Sequence, residues 1–286
     1  MQLSKLYEGW AIVLIRKKEV VKLSEDIRKI IDGQKIDLRD NQEGPWSILK
    51  NDIHTLANLK NEQMNTLKQE HEFMQETLAN ISHQLKTPLT SMMIMADLLE
   101  DAPPEKQKEF LLNIKKELDH TQWLATALLK MAKLDAGAIN FSVKENSSKD
   151  LVDNAVKTLQ ILLEVKNQQV EISGETTLLC DEKWTTEVLT NVIKNASEHS
   201  PEGSTINVKV GSNPICKWIE ITDKGIGISK TGAKHIFKRF EGTRSDKGYG
   251  IGLPLSLAIM KSQNGDIEVR SEGQGQGATF VLKFFR

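Results

Sequence analysis

Apolar positions recur at two different spacings along this chain, and the change falls near residue 140. From Met64 a seam runs through Leu67, His71, Met74, Leu78, Ile81, Leu85, Pro88, Met92, Met95 and Leu99, with steps alternating between three and four. That is the heptad pattern of a long helix with one packed edge. After Ala102-Pro103-Pro104 a second ladder follows through Leu111, Ile114, Leu118, Thr121, Ala125, Leu128 and Ala132. The spacing predicts two antiparallel helices joined by a tight turn. Two stripes bury themselves better in a set of four helices than alone, so the pattern predicts a homodimeric four-helix bundle. Residues 20 to 62 carry a weaker stripe interrupted by Gly33, Asp37, Asp40 and Glu43-Gly44, which reads as helix, connector, helix. Beyond residue 141 short β-type runs alternate with helical patterns. The expected order is a strand, a helix near 148 to 164, two strands to Cys180, and a helix to about 197. Two strands to Asp223, a long loop with short helices, a helix from about Leu253 and two closing strands complete it. Fold class is therefore a helical hairpin followed by an α/β sandwich, divided as 1–62, 63–140 and 141–286.

The length of 286 residues suits such a multi-domain plan. With 38 basic and 39 acidic residues the net charge is −1, which argues against nucleic acid as a partner. Cys180 and Cys216 are the only cysteines and lack CxxC spacing, as expected of a reducing compartment. No apolar run is long enough to span a bilayer. Trp10 to Ile15, followed by Arg16, Lys17 and Lys18, reads either as the cytoplasmic exit of a transmembrane helix lying upstream or as the start of an amphipathic helix. A location on the cytoplasmic face of the cell membrane is the expectation.

His83 sits two positions from both Ile81 and Leu85, so a rotation of about 200° turns it away from the seam. Pro88 lacks an N–H and crowds the carbonyl of residue 84, so the helix is expected to kink or loosen just after the histidine. The run Ile81-Ser82-His83-Gln84-Leu85-Lys86-Thr87-Pro88-Leu89-Thr90 resembles the phosphoacceptor box of sensor histidine kinases, the two-component family. The resemblance implies that His83 receives the γ-phosphoryl of ATP and passes it to an aspartate in the receiver domain of a response regulator. It further implies that Thr87, one turn on, positions a water for dephosphorylating that regulator. The family usually has an acidic residue where Gln84 stands. A glutamine cannot take a proton, but its oxygen can accept from Nδ1–H of His83 and leave Nε2 free. Residues 20 to 62 in turn look like a HAMP-type relay, with a plain coiled-coil stalk as the alternative.

Three elements in the second half are candidates for nucleotide chemistry, each with a plain reading as helix surface or glycine turn when taken alone. Asn191 and Asn195 lie one turn apart on one helix face, and an asparagine oxygen suits Mg²⁺ while leaving room for phosphate charge. Asp223-Lys224-Gly225-Ile226-Gly227 ends a strand in a carboxylate able to accept from an adenine amino group. Gly248-Tyr249-Gly250-Ile251-Gly252-Leu253 opens a helix whose N–H groups suit a phosphate chain. With Phe237 and Phe240 these match, in order, the N, G1, F and G2 boxes of the same family and of the wider GHKL ATPases. The resemblance implies ATP and Mg²⁺ as cofactors, with Asp223 on adenine, Asn195 on the metal, and Asn191 near the phosphates. It makes Glu241 to Lys247 a mobile lid, and adds Lys247 and Leu253 to the nucleotide-binding residues. Glu198 and Glu241-Gly242 depart from the usual basic and aromatic residues, leaving Lys194, Arg239, Arg244 or Lys247 to neutralise the phosphates. Competing expectations are a GHKL-type ATPase clamp and a catalytically degenerate dimeric scaffold. Trp123, Trp184 and Trp218 are expected as core aromatics, and no metal besides Mg²⁺ is expected.

Overall fold

The computed structural model describes residues 2–31, 34, 36–39, 44–240 and 250–285, with side chains from residue 17 onward. Gly33, Asp40, Glu43, Glu241-Gly242, Arg244, Lys247 and Gly248 lie outside the described residues, as do the side chains of Trp10 to Arg16. The chain divides into two compact units, Met1–Leu78 and Ala79–Arg286. In the first, α1 (Gln2–Ile31) leads to a short connector and the opening of α2 (Pro45–Leu99). Leu23, Leu38 and Ser47 are buried, and Asp37 accepts hydrogen bonds from the backbone N and the guanidinium of Arg39.

In the second unit the rest of α2 and α3 (Pro104–Asp135) form the expected hairpin. Pro103 and Pro104 stop one helix and start the next, since a proline in the first turn gives up only an N–H that has no intrahelical partner. Gln107 Nε2 closes the turn by donating to the carbonyls of Leu99 (3.3 Å) and Ala102 (3.0 Å). Ile81, Leu85, Met92, Met95 and Leu99 are half-buried and Pro88 is buried. Leu89, Met93, Ile94, Leu98, Leu111, Leu112 and Leu118 are exposed.

One stripe departs from expectation. On the second half of α3 the buried residues are Leu124, Ala127, Met131 and Leu134, not Ala125 and Ala132. These four join the core of the α/β sandwich, so the helix face there answers to a different partner from the face nearer the turn. Trp123, one position and about 100° away from Leu124, is consequently 39% exposed and not a core residue.

The sandwich follows as β1 (Val143–Ser147), α4 (Ser148–Thr158), α5 (Gln160–Val165), β2 (Gln169–Ser173), β3 (Thr177–Asp181) and α6 (Glu182–His199). β4 (Thr205–Ser212), β5 (Cys216–Thr222), α7 (Lys230–Ala233), α8 (Gly252–Ser262), β6 (Gly265–Arg270) and β7 (Thr279–Phe285) complete it. The single helix expected near 148 to 164 breaks at Leu159 (φ −99°, ψ 5°), which lets Leu159 and Leu163 both enter the core. Five strands form one sheet in the order β2-β4-β5-β7-β6, with β2 and β4 parallel and the other pairs antiparallel; β1 and β3 pair separately. One face of the large sheet, with Ile206, Val208, Ile219, Ile221, Phe280 and Leu282, packs on Leu151, Val188, Val192, Leu255 and Ile259 of α4, α6 and α8. The other carries Lys209, Glu220, Glu268 and Lys283, the two-faced pattern of a sheet covered on one side only.

Candidate functional site

His83 is exposed in the middle of α2, and helix continues without interruption through Pro88. The hydroxyl of Thr87 donates to the His83 carbonyl at 3.2 Å. That bond supports the turn in which Pro88 leaves the carbonyl of residue 84 without its i+4 donor. Gln84 is half-buried beside the exposed histidine.

The second cluster is assembled by α6. Its start is fixed by the Asp181 carboxylate, which accepts from the Trp184 N–H at 3.0 Å and the Ser142 N–H at 2.8 Å. The apolar face of α6, with Val188, Leu189, Val192, Ile193 and Ala196, is wholly buried. Burial of that face leaves Asn191 and Asn195, both half-buried, along one edge. Asn191 Nδ2 reaches Ser256 Oγ on α8 at 3.4 Å, and a Cβ on Gly252 would meet only this asparagine within 4 Å. Ile251 at the N-cap of α8 is fully buried and its apolar side chain gives no cap, so the first N–H groups of that helix receive no hydrogen bond from their own N-cap residue. Gly250, at φ +65°, turns the chain into the helix, and its carbonyl accepts from the Phe240 N–H at 3.1 Å. Phe237, Phe240 and Leu253 are half-buried against the core.

At the opposite end of the same helix the loop after β5 packs against the last turn of α6. Asp223 is buried, and its Oδ1 accepts from the N–H groups of Gly225 (2.8 Å) and Ala278 (3.2 Å). Burial pushes its carboxyl above the usual range, outweighing those two amides and the nearby His199, which act the other way. The glycines here accommodate the protein's own backbone. A Cβ on Gly225 would lie 2.5 Å from the His199 carbonyl oxygen. On Gly227, which sits at φ +70°, it would lie 2.0 Å from that of Gly273.

Among the basic residues expected near phosphate, Lys194 lies 3.8 Å from Glu198 and Arg239 2.8 Å from Asp135. Arg244, Lys247 and the glycine at 248 are outside the described residues. The structure also adds participants the sequence reading did not single out. Ser271 accepts from the Ile228 N–H (3.0 Å) and donates to the Gly277 carbonyl (2.7 Å), and Ala278 holds Asp223. The run Ser271-Glu272-Gly273-Gln274-Gly275-Gln276-Gly277 was the available signal, since Gly273, Gly275 and Gly277 all take positive φ. Among the described residues no group of three or more His, Cys, Asp or Glu side chains could hold a metal, and no helix is long and apolar enough to cross a membrane. Cys180 and Cys216 are buried free thiols.

Two family models match the two halves of this geometry. Residues 73–137 match the His Kinase A (phospho-acceptor) domain, and residues 180–286 match the histidine kinase-, DNA gyrase B-, and HSP90-like ATPase. The chain belongs to the histidine kinase family. Its histidine kinase relatives include the sensor histidine kinase WalK of Bacillus subtilis, 29% identical over 225 residues that cover 73% of this chain and 36% of WalK. Full-length ShkA in complex with AMPPNP matches with a TM-score of 0.55 at 25% identity, over 73% of this chain and 45% of ShkA. ThkA in complex with the response regulator protein TrrA shares the fold, with a TM-score of 0.61 at 17% identity, over 79% and 66% of the two chains. The chain spans between 24% and 51% of the lengths of the first relatives it matches.

Proposed function

We propose that this histidine kinase family chain transfers the γ-phosphoryl group of ATP to His83 and then to an aspartate of a response regulator receiver domain. The observation that carries the reading is the span of α6. Asn191 abuts the uncapped start of α8, while eight residues later the His199 carbonyl abuts Gly225 beside Asp223, a rise of about 12 Å. A nucleotide laid along that edge has a carboxylate acceptor for its base at one end and helix N–H groups for its phosphates at the other. Asn195 stands between them. Its amide oxygen is a hard, neutral donor that fits Mg²⁺, and the cation, when bound, neutralises charge on the transferring phosphate.

In the reaction so assigned, the Nε2 lone pair of His83 attacks the γ-phosphorus, the bond to the bridging β–γ oxygen breaks, and ADP leaves. Gln84 accepts from Nδ1–H and fixes the tautomer that keeps Nε2 free. Phosphoryl transfer depends on positioning and charge neutralisation more than on covalent help, so a carboxylate base beside His83 is dispensable. Thr87 positions the water that later hydrolyses the regulator's aspartyl phosphate, in addition to supporting its own turn. The division into a membrane-proximal segment, 1–62, a phosphoacceptor hairpin, 63–140, and an ATP domain, 141–286, follows the motifs, and the chain acts as a homodimer. Trp10 to Ile15 ahead of Arg16-Lys17-Lys18 supports placement at the cytoplasmic face of the membrane.

The test incubates the chain and a His83→Ala version with γ-labelled ATP and Mg²⁺. Acid-labile, alkali-stable label confined to the unsubstituted chain is expected. Slower labelling with Gln84→Leu is expected as well, and Thr87→Ala should label normally but fail to dephosphorylate the regulator. Nucleotide binding without any label would overturn the kinase reading in favour of an ATPase or a scaffold, and phosphate release would choose between these.

A further inference from the structure

Lys166 and Gln168, at the end of α5 and the approach to β2, converge on the far end of α6. Lys166 Nζ donates to the carbonyls of Ser197, Glu198 (3.3 Å) and Ser200 (3.1 Å). Gln168 is only 6% exposed. Its Nε2, with two hydrogens to donate, lies within reach of the carbonyls of Ser197 (3.2 Å), Ser200 (3.4 Å) and Pro201 (2.9 Å) and 3.3 Å from Ser204 Oγ, while its Oε1 accepts from Ser197 Oγ at 2.6 Å. The last carbonyls of a helix lack intrahelical donors and carry partial negative charge, so an ammonium there is favourable in itself. A cap of this kind needs one or two bonds. Here two side chains grip four consecutive-region carbonyls, those of residues 197, 198, 200 and 201.

The gripped turn is the one that meets the nucleotide end of the sheet. His199, inside it, presents the carbonyl that leaves no room for a Cβ on Gly225, and the Gly225 N–H in turn holds Asp223 Oδ1. Asn195 lies less than one turn upstream of Ser197 on the same rigid helix. A shift of this turn therefore moves the adenine-side carboxylate and the metal-side amide relative to one another. We propose that Lys166 and Gln168 are positioning residues for the nucleotide, a clamp that sets the spacing between Asp223 and the asparagine edge of α6. The inference rests on the nucleotide reading above and assigns its alignment to two residues outside every nucleotide motif.

The test measures the dissociation constant of a fluorescent ATP analogue with Mg²⁺, alongside thermal melting and the amide resonances of Gly225 and Ala278. Lys166→Met should weaken the analogue about tenfold, the scale of a lost hydrogen bond to a charged group, and Gln168→Leu should weaken it in the same direction. Both variants should shift the two amide resonances while remaining folded at the assay temperature. Lys166→Arg should recover most of the affinity, because a guanidinium can also donate to several carbonyls. In labelling assays the KM for ATP should rise more than kcat falls. Unsubstituted affinity in Lys166→Met, or a loss that matches the unfolded fraction read from melting, overturns the clamp. A wild-type chain that fails to bind the analogue overturns the nucleotide reading, and the clamp with it.

Discussion

Asp223 illustrates how one side chain can cost stability while standing where a nucleotide base is proposed to bind. Its carboxyl titrates above the ordinary range because burial disfavours the charged form more than the amides of Gly225 and Ala278 favour it. The folded pKa therefore exceeds the unfolded one. The penalty is absent below the unfolded pKa, grows as pH rises between the two values, and is fully present at neutral pH. Asp223→Asn keeps an oxygen for the two amides and removes the buried charge. We predict a melting temperature at pH 7 that is unchanged or higher, together with loss of ATP-analogue binding. In the unsubstituted chain, affinity should decline on acidification at a higher pH than a solvent-exposed aspartate would give. Calorimetry across pH checks both, and a large drop in melting temperature would contradict the assignment. The residue itself was legible from its strand-end position before two glycines. Its partner Ala278, 55 positions away, was not, because the bond depends on how β5 and β7 pair.

Among the elements, α3 changes allegiance along its length. Near the turn Leu111, Leu112 and Leu118 stay exposed and Phe110 and Ile114 are half-buried, whereas Leu124, Ala127, Met131 and Leu134 complete the sandwich core. Polar contacts accompany this packing. Lys130 Nζ lies 2.6 Å from Glu187 on α6 and 5.7 Å from the Trp184 ring centre, and Arg239 pairs with Asp135. Partly solvated ion pairs contribute at most about 1 kcal/mol each, whereas truncating a buried leucine costs about 2–5 kcal/mol. Apolar burial therefore dominates the attachment. Leu124→Ala should destabilise the chain by about 2–5 kcal/mol in urea unfolding, and Glu187→Gln by about 1 kcal/mol or less. Equal effects would show that the ion pair matters as much as the stripe. The strict three-four ladder on this helix predicted helix correctly and mislocated the buried face in its last turns. A periodic pattern with apolar residues on adjoining faces leaves the choice of partner to the rest of the fold.

For the whole molecule, the exposed apolar positions of the hairpin are the feature that most demands a partner. Leu89, Met93, Ile94, Leu98, Leu111, Leu112 and Leu118 face solvent in a single chain. An exposed set of that kind marks an interaction surface, and a second copy burying the same set on both sides is the symmetric solution. Sedimentation at micromolar concentration should give a dimer, and Ile94→Glu combined with Leu98→Glu should give a monomer that still binds the ATP analogue. A monomeric unsubstituted chain would contradict the bundle.

What the sequence determined by itself was whatever depends on neighbours in the chain. Periodicity specified the long helices, the two prolines placed the turn, and alternation with turn residues placed the strands of the sandwich. The spacing of Asn191 and Asn195, the carboxylate before Gly225, and the glycines opening α8 made these residues candidates for a nucleotide site, because each is a short pattern set by helix or turn geometry. Tertiary structure decided which face of α3 joins the core and whose backbone Gly225 and Gly227 must admit. It also brought Ser271 and Ala278 to the loop that holds Asp223, and Lys166 and Gln168 to the last turn of α6. These depend on segments tens of residues apart meeting through sheet pairing and helix packing, and no local spacing encodes such a meeting.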